Sequence, residues 1–560
     1  MFKNIFNYLF IFVLSLTFAF FNIYQNVYGL SVNLPGKLYL GSGHWFADYL
    51  IYLSIVAQGT RGNWQAYVAT TGEQLGGYWV VVWPYLLAGK FGRLIGFTPP
   101  VSYWVMVIIF SILAVVLTYL VISLISPRLK YWVLFLYLTA VPFYTIGLKP
   151  LSVTLYPVNW YFSTEIFSRI SNIPHQMLGG ILTLVLFVVG YFWFREITFG
   201  LKGRVRIRKM FFYWFFFALL CSLLMTVMPI RLVYLLPAFV TGLLLLYWQK
   251  EILSWKNWPV FRPQVIFFVI LLIVLVFLSR VTRVNISHGF FADVLQWEIG
   301  QMDYPNLFKF FRGSGPTFIL SLVVLGCLVW KQKCKWLKKV NPLLFTGLVA
   351  TLLSYLLFYT PISLLFDNHN SRFLFAEGYL FMSLIVADWL SSISKKVNWL
   401  AIITIILAVF AILPLWLFVK MKVQKVNPNS PYEYVNYSLV SAFRNLNPPQ
   451  AREVVLTAPD FEGRLTLPIF SNTKLYLGRE LATVDYEKKN EQAAIFYTNN
   501  IPLSEKIRFL QENQIRWFIL SDLNRPESFS YWFFNHKGLE GLPVSLEYKN
   551  EEMMIYRVNN

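Results

Sequence analysis

Long apolar stretches recur along most of this 560-residue chain, and they constrain its fold more than any other feature. A helix that crosses a bilayer needs roughly 20 mostly apolar residues. The first such stretch covers residues 5–27, and further ones begin near Val101, Tyr131, His175, Phe211, Leu232, Gln264, Pro316, Pro342, Phe373 and Leu400. The sequence therefore predicts a polytopic α-helical membrane protein with about eleven transmembrane helices.

Composition and charge agree with a membrane protein. Only 13% of the residues are charged, against about 25% in a typical soluble domain, which argues against a soluble enzyme. The net charge is +21, but the basic residues form short runs between the apolar stretches, as cytoplasmic loops do. No nucleic-acid partner is expected. With a cytoplasmic N-terminus, the basic runs at residues 128–130, 195–209, 250–262, 331–339 and 395–396 all fall on the inner side.

One apolar segment, residues 77–97, is not counted as a crossing. It is interrupted by Pro84 and by several glycines, and it carries Lys90 and Arg93. As a crossing it would place the basic loops on alternating sides of the membrane, so we predict an interfacial helix at the outer surface. Residues 29–100 then form one long outer loop.

The composition changes near residue 421, where charged residues, prolines and asparagines return. We therefore predict a transmembrane domain over residues 1–420 and a small α/β extracytoplasmic domain over residues 421–560. Strand patterns occur at 453–456, 474–477, 517–520 and 553–558, and helical patterns occur at 491–497 and 503–512. An odd number of crossings places this domain outside.

Ionisable residues are concentrated at the outer ends of the apolar stretches and in the outer loops. Glu377 and Asp388 are the exceptions within the stretches. Ion-coupled transporters carry more charged groups at mid-membrane depth, so a transporter is the weaker interpretation. An outer site built from several loops suits a substrate with a polar head group and a lipid tail.

Two segments of the first outer loop resemble the GT-C fold of integral-membrane glycosyltransferases. They are HWFADYLIY, which contains Asp48, and the Pro/Gly-interrupted YWVVVWPYLLAGKFG. RISNIPHQMLGGIL and NSRFLFAEGYL resemble outer span entrances of that family, and GRLTLPIFSNTKLYLGRELAT resembles the C-terminal domain of bacterial GT-C-like proteins. The resemblance implies a polyprenyl-phosphate-linked sugar donor and a first-loop carboxylate acting as catalytic base. Many members carry an Asp-Glu or Glu-x-Asp element there, whereas Asp48 lies between Ala47 and Tyr49, which argues against a divalent metal cofactor.

The chemistry of sugar transfer then assigns roles to individual residues. Asp48 is the candidate base, although an aspartate here also suits the N-terminus of a helix. Arginines match phosphate oxygens, although outer arginines also reach for lipid headgroups. The candidate phosphate-binding residues are Arg372, Arg231, Arg169 and Arg283, and possible substrate-binding residues are His44, Glu165, His175 and Asp293.

The sequence thus favours a multi-pass glycosyltransferase of the cell membrane. Its partners would be membrane lipids, the polyprenyl-linked sugar and a glycan, lipid or protein acceptor. Three alternatives remain open at this stage: a lipid or polysaccharide transporter, a protein like the O-antigen polymerases and ligases, and a non-catalytic membrane protein that presents its C-terminal domain.

Overall fold

The computed structural model describes residues 2–42, 46–73, 75–148, 151–156, 158, 166–199, 204–251, 258–287, 294–332, 334–366, 368–393, 398–446, 452–498 and 500–559. The chain divides into two compact units. The first unit contains residues 1–22, 107–282 and 296–420, and the second contains residues 23–106, 283–295 and 421–560. The division at residue 420 stays a prediction about domains. In the structure, residues 421–560 belong to the same unit as the first outer loop.

Apolar helices dominate the chain, which confirms the predicted class of polytopic helical membrane protein. Within the described residues, 8 helices are long and apolar enough to cross a bilayer. Their apolar parts are Asn7–Val32, Pro99–Ile125, Pro174–Thr198, Arg208–Val227, Ile230–Gln249, Arg262–Thr282, Leu307–Lys331 and Trp399–Gln424. Two shorter apolar helices, Pro342–Phe358 and Gly378–Ile393, occupy the positions of two further predicted spans.

The span predicted near Tyr131 is wrong as a continuous helix. The helix there, Lys130–Leu138, has 9 residues and is about 14 Å long, against a hydrocarbon thickness of about 30 Å. An antiparallel hairpin of Tyr144–Leu148 and Leu151–Leu155 follows it. Pro142 lacks an N–H and disfavours helical geometry at the residue before it, and the β-branched residues beyond it favour strands. The number of long helices therefore differs from the predicted eleven.

Short helices connect the long ones in the first unit and at its borders. They have too few residues to cross a bilayer and lie where the chain turns between apolar helices. The α-helices are Ile166–Ile170, Val294–Gly300 and Cys334–Leu337, and the 3-10 helices are Pro361–Phe366 and Asn370–Phe373.

The first outer loop contains two helices that pack closely against each other, Phe46–Thr60 and Trp83–Ile95. The second begins with Pro84 in its first turn and ends at Gly96, whose φ of 82° suits glycine. At 13 residues it is about 20 Å long, too short to cross a bilayer. Gly89 permits the close packing, because a Cβ there would lie 2.7 Å from the backbone nitrogen of Thr60.

The first outer loop and the C-terminal segment share backbone and side-chain hydrogen bonds within the second unit. Lys37–Tyr39 pairs antiparallel with Tyr434–Asn436. The backbone N–H of Leu475 donates to the carbonyl of Ala69 at 2.8 Å. Arg61 donates through Nη2 to the carbonyl oxygen of Ile469 at 2.7 Å. These contacts make residues 421–560 continuous with the outer loop rather than a separate appendage.

The C-terminal segment contains a five-stranded sheet, which confirms the predicted α/β composition. Its strands are β1 (Val454–Thr457), β2 (Lys474–Leu475), β3 (Ile515–Ser521), β4 (Val544–Lys549) and β5 (Met553–Val558). Their order is β2-β1-β3-β5-β4, with β1 parallel to β2 and β3 and with β5 antiparallel to β3 and β4. The edge strand β4 was not predicted from the sequence.

Helices cover this sheet and close its core. The α-helices are Tyr437–Asn445, Leu467–Phe470, Tyr486–Tyr497, Leu503–Glu512 and Phe529–Asn535, and the 3-10 helices are Glu462–Thr466 and Glu480–Ala482. Phe496 stacks on Phe533 with ring centroids 5.5 Å apart, and Phe518 of β3 stacks on Tyr556 of β5 at 4.9 Å. The two predicted helices are both present.

Candidate active site

Asp48 lies in the first turn of the helix Phe46–Thr60 in the second unit. A negative charge is favourable there because the helix dipole places partial positive charge at the N-terminus. Its side chain is 44% exposed, so the carboxylate is accessible to a substrate. The helix already includes Phe46 and Ala47, so the interpretation of Asp48 as the N-cap residue is wrong, and Asp48 instead lies inside the first turn.

The carboxylate of Asp48 forms an ion pair with Arg479 of the C-terminal segment. Nη1 of Arg479 donates to Oδ1 of Asp48. Arg479 belongs to the stretch GRELAT that carries the resemblance to GT-C-like C-terminal domains, and no role for it is predicted from the sequence. The two residues are 431 positions apart, so no local pattern could reveal the contact.

Arg372 is held by a buried carboxylate in the first unit. Its Nη2 donates to Oε1 of Glu298 at 3.1 Å, and the other oxygen of Glu298 accepts the backbone N–H of His369 at 2.9 Å. Burial, followed by the charge of Arg372, lowers the pKa of His369 to about 3, so this imidazole is neutral near pH 7. Arg372 is therefore the cation that balances Glu298, while its side chain stays 21% exposed.

His175 is buried at the start of the helix Pro174–Phe199. It lies within electrostatic range of Arg372. These two sequence candidates therefore belong to one neighbourhood of the first unit.

Arg231 forms a buried ion pair with Glu377. Nη1 of Arg231 donates to Oε1 of Glu377 at 2.7 Å, and both side chains are less than 10% exposed. The same nitrogen lies 3.3 Å from the hydroxyl of Thr183, on the helix Pro174–Phe199. Gly180 makes room for this pair, since a Cβ at Gly180 would lie 2.5 Å from Oε1 of Glu377. The pair thus joins two helices of the first unit to the turn that precedes the helix Gly378–Ile393.

Arg169 is also buried, but it contacts backbone carbonyls. Nη1 donates to the carbonyl oxygen of Ala140 at 3.0 Å, and Nη2 donates to that of Tyr137. Its guanidinium lies over the ring of Tyr137 at 4.9 Å and that of Tyr379 at 4.8 Å. These contacts satisfy backbone oxygens left by the end of the helix Lys130–Leu138. Arg169 therefore supports the irregular chain that follows this helix.

Comparison with solved structures gives the fold. The chain superposes on the oligosaccharyltransferase of Archaeoglobus fulgidus in the apo form with a TM-score of 0.51 and 11% identity, over 98% of this chain and 74% of that one. The chain has the GT-C fold. The same archaeal enzyme with an inhibitory peptide and a dolichol-phosphate gives a TM-score of 0.49 at 11% identity, covering 96% and 74% of the two chains. ArnT from Cupriavidus metallidurans bound to undecaprenyl phosphate gives 0.44 at 10% identity, covering 91% and 93%. No protein-family model and no curated protein sequence matches the chain.

The side chains of the four remaining sequence candidates lie outside the described part of the structure. His44, Glu165 and Asp293 lie outside the described residues. Arg283 lies in the helix Trp258–Ser287, but its side chain is outside the described part. Their assigned roles stay predictions.

The GT-C resemblance raised the question of a metal ion. Within the described residues, no group of three or more His, Cys, Asp or Glu side chains is arranged to hold one. Asp48 pairs with an arginine, and Glu298 and Glu377 each pair with an arginine as well. Each of these three described carboxylates therefore has a guanidinium as its counter-charge.

Sequence reasoning found most of the charged residues but not their pairing. Glu298, Glu377 and Arg479 carry the opposite charge to Arg372, Arg231 and Asp48, respectively. A signal was present, because each of these three residues lies in a predicted outer segment or at the end of an apolar stretch, where a charge needs a partner. The choice of partner depends on tertiary packing, which the sequence alone does not give.

Proposed function

We propose that this protein is a membrane glycosyltransferase that transfers a sugar from a polyprenyl-phosphate donor to an extracytoplasmic acceptor. The observation that carries the proposal is the accessible Asp48 carboxylate at the start of a first-loop helix, in a chain with the fold of an oligosaccharyltransferase. The first-loop motif implies the class of donor.

The reaction needs a base for the acceptor and a cation for the leaving group. The acceptor oxygen attacks the anomeric carbon, its proton passes to Asp48, and the bond from the anomeric carbon to the phosphate oxygen breaks. Polyprenyl phosphate leaves with the negative charge. A guanidinium stabilises that charge, because its planar fork matches phosphate oxygens.

Among the candidate arginines, we assign the phosphate to Arg372. Its guanidinium is partly exposed and is oriented by Glu298 through Nη2. Arg231 is balanced by Glu377, and Arg169 is engaged by backbone carbonyls. These contacts support a structural role for Arg231 and Arg169, while Arg283 stays a candidate from the sequence.

The test of the proposed function is donor turnover by the purified full-length protein. The protein in detergent would receive radiolabelled undecaprenyl-phosphate hexoses and pentoses, together with membrane lipids and glycans as acceptors. We expect release or transfer of sugar from at least one donor. If the protein neither binds nor cleaves any of these donors, the glycosyltransferase is rejected, and a transporter or a non-catalytic membrane protein is favoured.

Arg372→Gln is expected to weaken donor binding about 10–100-fold, because a charge-assisted contact to phosphate is worth roughly 1.5–3 kcal/mol. In the variant, KM for the sugar donor and the Kd for undecaprenyl phosphate should rise by a larger factor than kcat falls. Arg280→Gln is the matched control, since Arg280 is an exposed arginine near the end of another apolar helix. Equal donor affinity in the Arg372→Gln variant and the wild type would remove Arg372 from the phosphate site.

We also propose that the N-terminus is cytoplasmic and that residues 421–560 are extracytoplasmic. The basic runs support this orientation if residues 130–148 cross the membrane as a short helix followed by extended chain. Nine helical and ten extended residues reach about 45 Å, which exceeds the hydrocarbon thickness. Ala140 and Val141, the irregular residues shortly after this helix, are fully buried, as irregular backbone at membrane depth requires.

Cysteine labelling in intact cells tests the orientation. In a cysteine-free background, a cysteine at exposed Ser504 should react with a membrane-impermeant maleimide, and one at exposed Ser391 should react only after permeabilisation. The opposite pattern would reverse the topology.

A further inference from the structure

Arg479 reaches Asp48 from a segment whose backbone is fixed on both sides. Before it, Leu477 forms an antiparallel bridge with Thr71 of the first outer loop. After it, the hydroxyl of Thr483 donates to the carbonyl of Thr70 at 2.7 Å, and the hydroxyl of Thr70 donates to the carbonyl of Ala482 at 2.6 Å. The chain between residues 477 and 483 is thus attached to the loop that supplies Asp48.

The residue before Arg479 adds to this attachment. The N–H of Gly478 donates to the hydroxyl of Thr483 at 3.0 Å, and its carbonyl accepts from Nε of Arg464 at 3.1 Å. A Cβ at Gly478 would lie 2.5 Å from the carbonyl oxygen of Thr70, so the close approach requires glycine. Arg464 therefore fixes the backbone from which the Arg479 side chain extends.

The contact occupies one oxygen of the carboxylate. Arg479 donates to Oδ1 of Asp48, and within the described part of the chain Oδ2 has no hydrogen-bond partner. An exposed salt bridge contributes little to stability by itself. A guanidinium on a fixed backbone restricts the rotation of a carboxylate. The contact therefore anchors Oδ1, while Oδ2 can accept a proton.

We propose that Arg479 is a positioning residue, supplied by the C-terminal segment, that orients Asp48 to accept the acceptor proton on Oδ2. This inference rests on the proposed function. The C-terminal segment then completes the catalytic base rather than serving as a separate binding module. Arg479 takes no proton itself. It acts through Asp48, and Arg464 and Gly478 act through Arg479.

Kinetics of paired variants test the inference. Arg479→Gln should lower kcat about 10–100-fold, since small misplacement of a catalytic group costs this much, while KM for the undecaprenyl-phosphate sugar stays within about threefold. Arg479→Lys should recover part of the loss, because it restores a cation at the same place. Arg508→Gln is the matched control, since Arg508 is 66% exposed in the same unit and pairs with Glu512 on its own helix.

The double variant Asp48→Asn/Arg479→Gln gives the decisive readout. If Arg479 acts through Asp48, the double variant is no slower than Asp48→Asn alone. Multiplied losses, or an Arg479→Gln variant with wild-type kcat, would overturn the inference while leaving the proposed function intact. Full turnover by Asp48→Asn would remove Asp48 as the base, and the inference with it, while keeping the glycosyltransferase. No turnover by the wild type with any donor would reject the proposed function itself. A matching thermal midpoint for Arg479→Gln and the wild type excludes misfolding as the cause of a loss.

Discussion

Asp48→Asn is expected to lower the turnover of the polyprenyl-phosphate sugar by about 100–10,000-fold, the usual contribution of a positioned general base. Asparagine has nearly the shape of aspartate, and a charge in the first turn is worth only about 0.3–1 kcal/mol, so the helix Phe46–Thr60 should be retained. Its amide cannot take the acceptor proton at neutral pH. The loss should therefore fall on kcat.

The measurement is steady-state turnover with the donor that the wild type uses, accompanied by the Kd for undecaprenyl phosphate. We expect an unchanged Kd, because the phosphate is assigned to Arg372 and not to Asp48. Asp485→Asn is the matched control. Asp485 is an exposed aspartate in the same unit with a φ of 52°, a conformation that asparagine adopts readily. Turnover of Asp48→Asn within about threefold of the wild type would eliminate Asp48 as the base, since a positioned general base contributes at least about 100-fold.

The architecture was largely accessible from the sequence because the bilayer imposes a simple rule on helix length. Apolar stretches of about 20 residues indicated the positions of the long helices. The return of polar residues near residue 421 indicated where the α/β segment begins. The rule failed where the chain departs from regular helix. Residues 130–155 are apolar, but Pro142 and the β-branched residues that follow it produce a short helix and a hairpin.

For the candidate site, the sequence indicated single residues but not the contacts between them. Asp48 stands out because it is an acidic residue between aromatic neighbours after the first apolar stretch. Its contact with Arg479 depends on how the first loop and the C-terminal segment pair, through backbone bridges such as that of Thr71 with Leu477. The pairing of Glu298 with Arg372, 74 residues later, depends on packing between short helices. Contacts between residues so far apart in the chain leave no local sequence pattern.

Glu377→Ala is expected to destabilise the protein by about 3–5 kcal/mol, because it leaves the buried guanidinium of Arg231 without its counter-charge. The double variant Arg231→Met/Glu377→Leu should recover most of the loss, since apolar side chains of similar volume often replace a buried ion pair at little cost. The measurement is the thermal midpoint of the full chain in detergent. Glu527→Ala, which breaks an exposed pair with Arg525, should leave the midpoint unchanged.

The same double variant separates the two roles open to Arg231. If the ion pair only joins the helices around Thr183 and Gly180, the double variant regains both the thermal midpoint and donor turnover. If Arg231 binds the donor phosphate, stability returns while KM for the donor stays raised, because the cation is gone. A double variant as unstable as Glu377→Ala would contradict the argument from charge burial, since loss of packing at this position would then account for the whole effect.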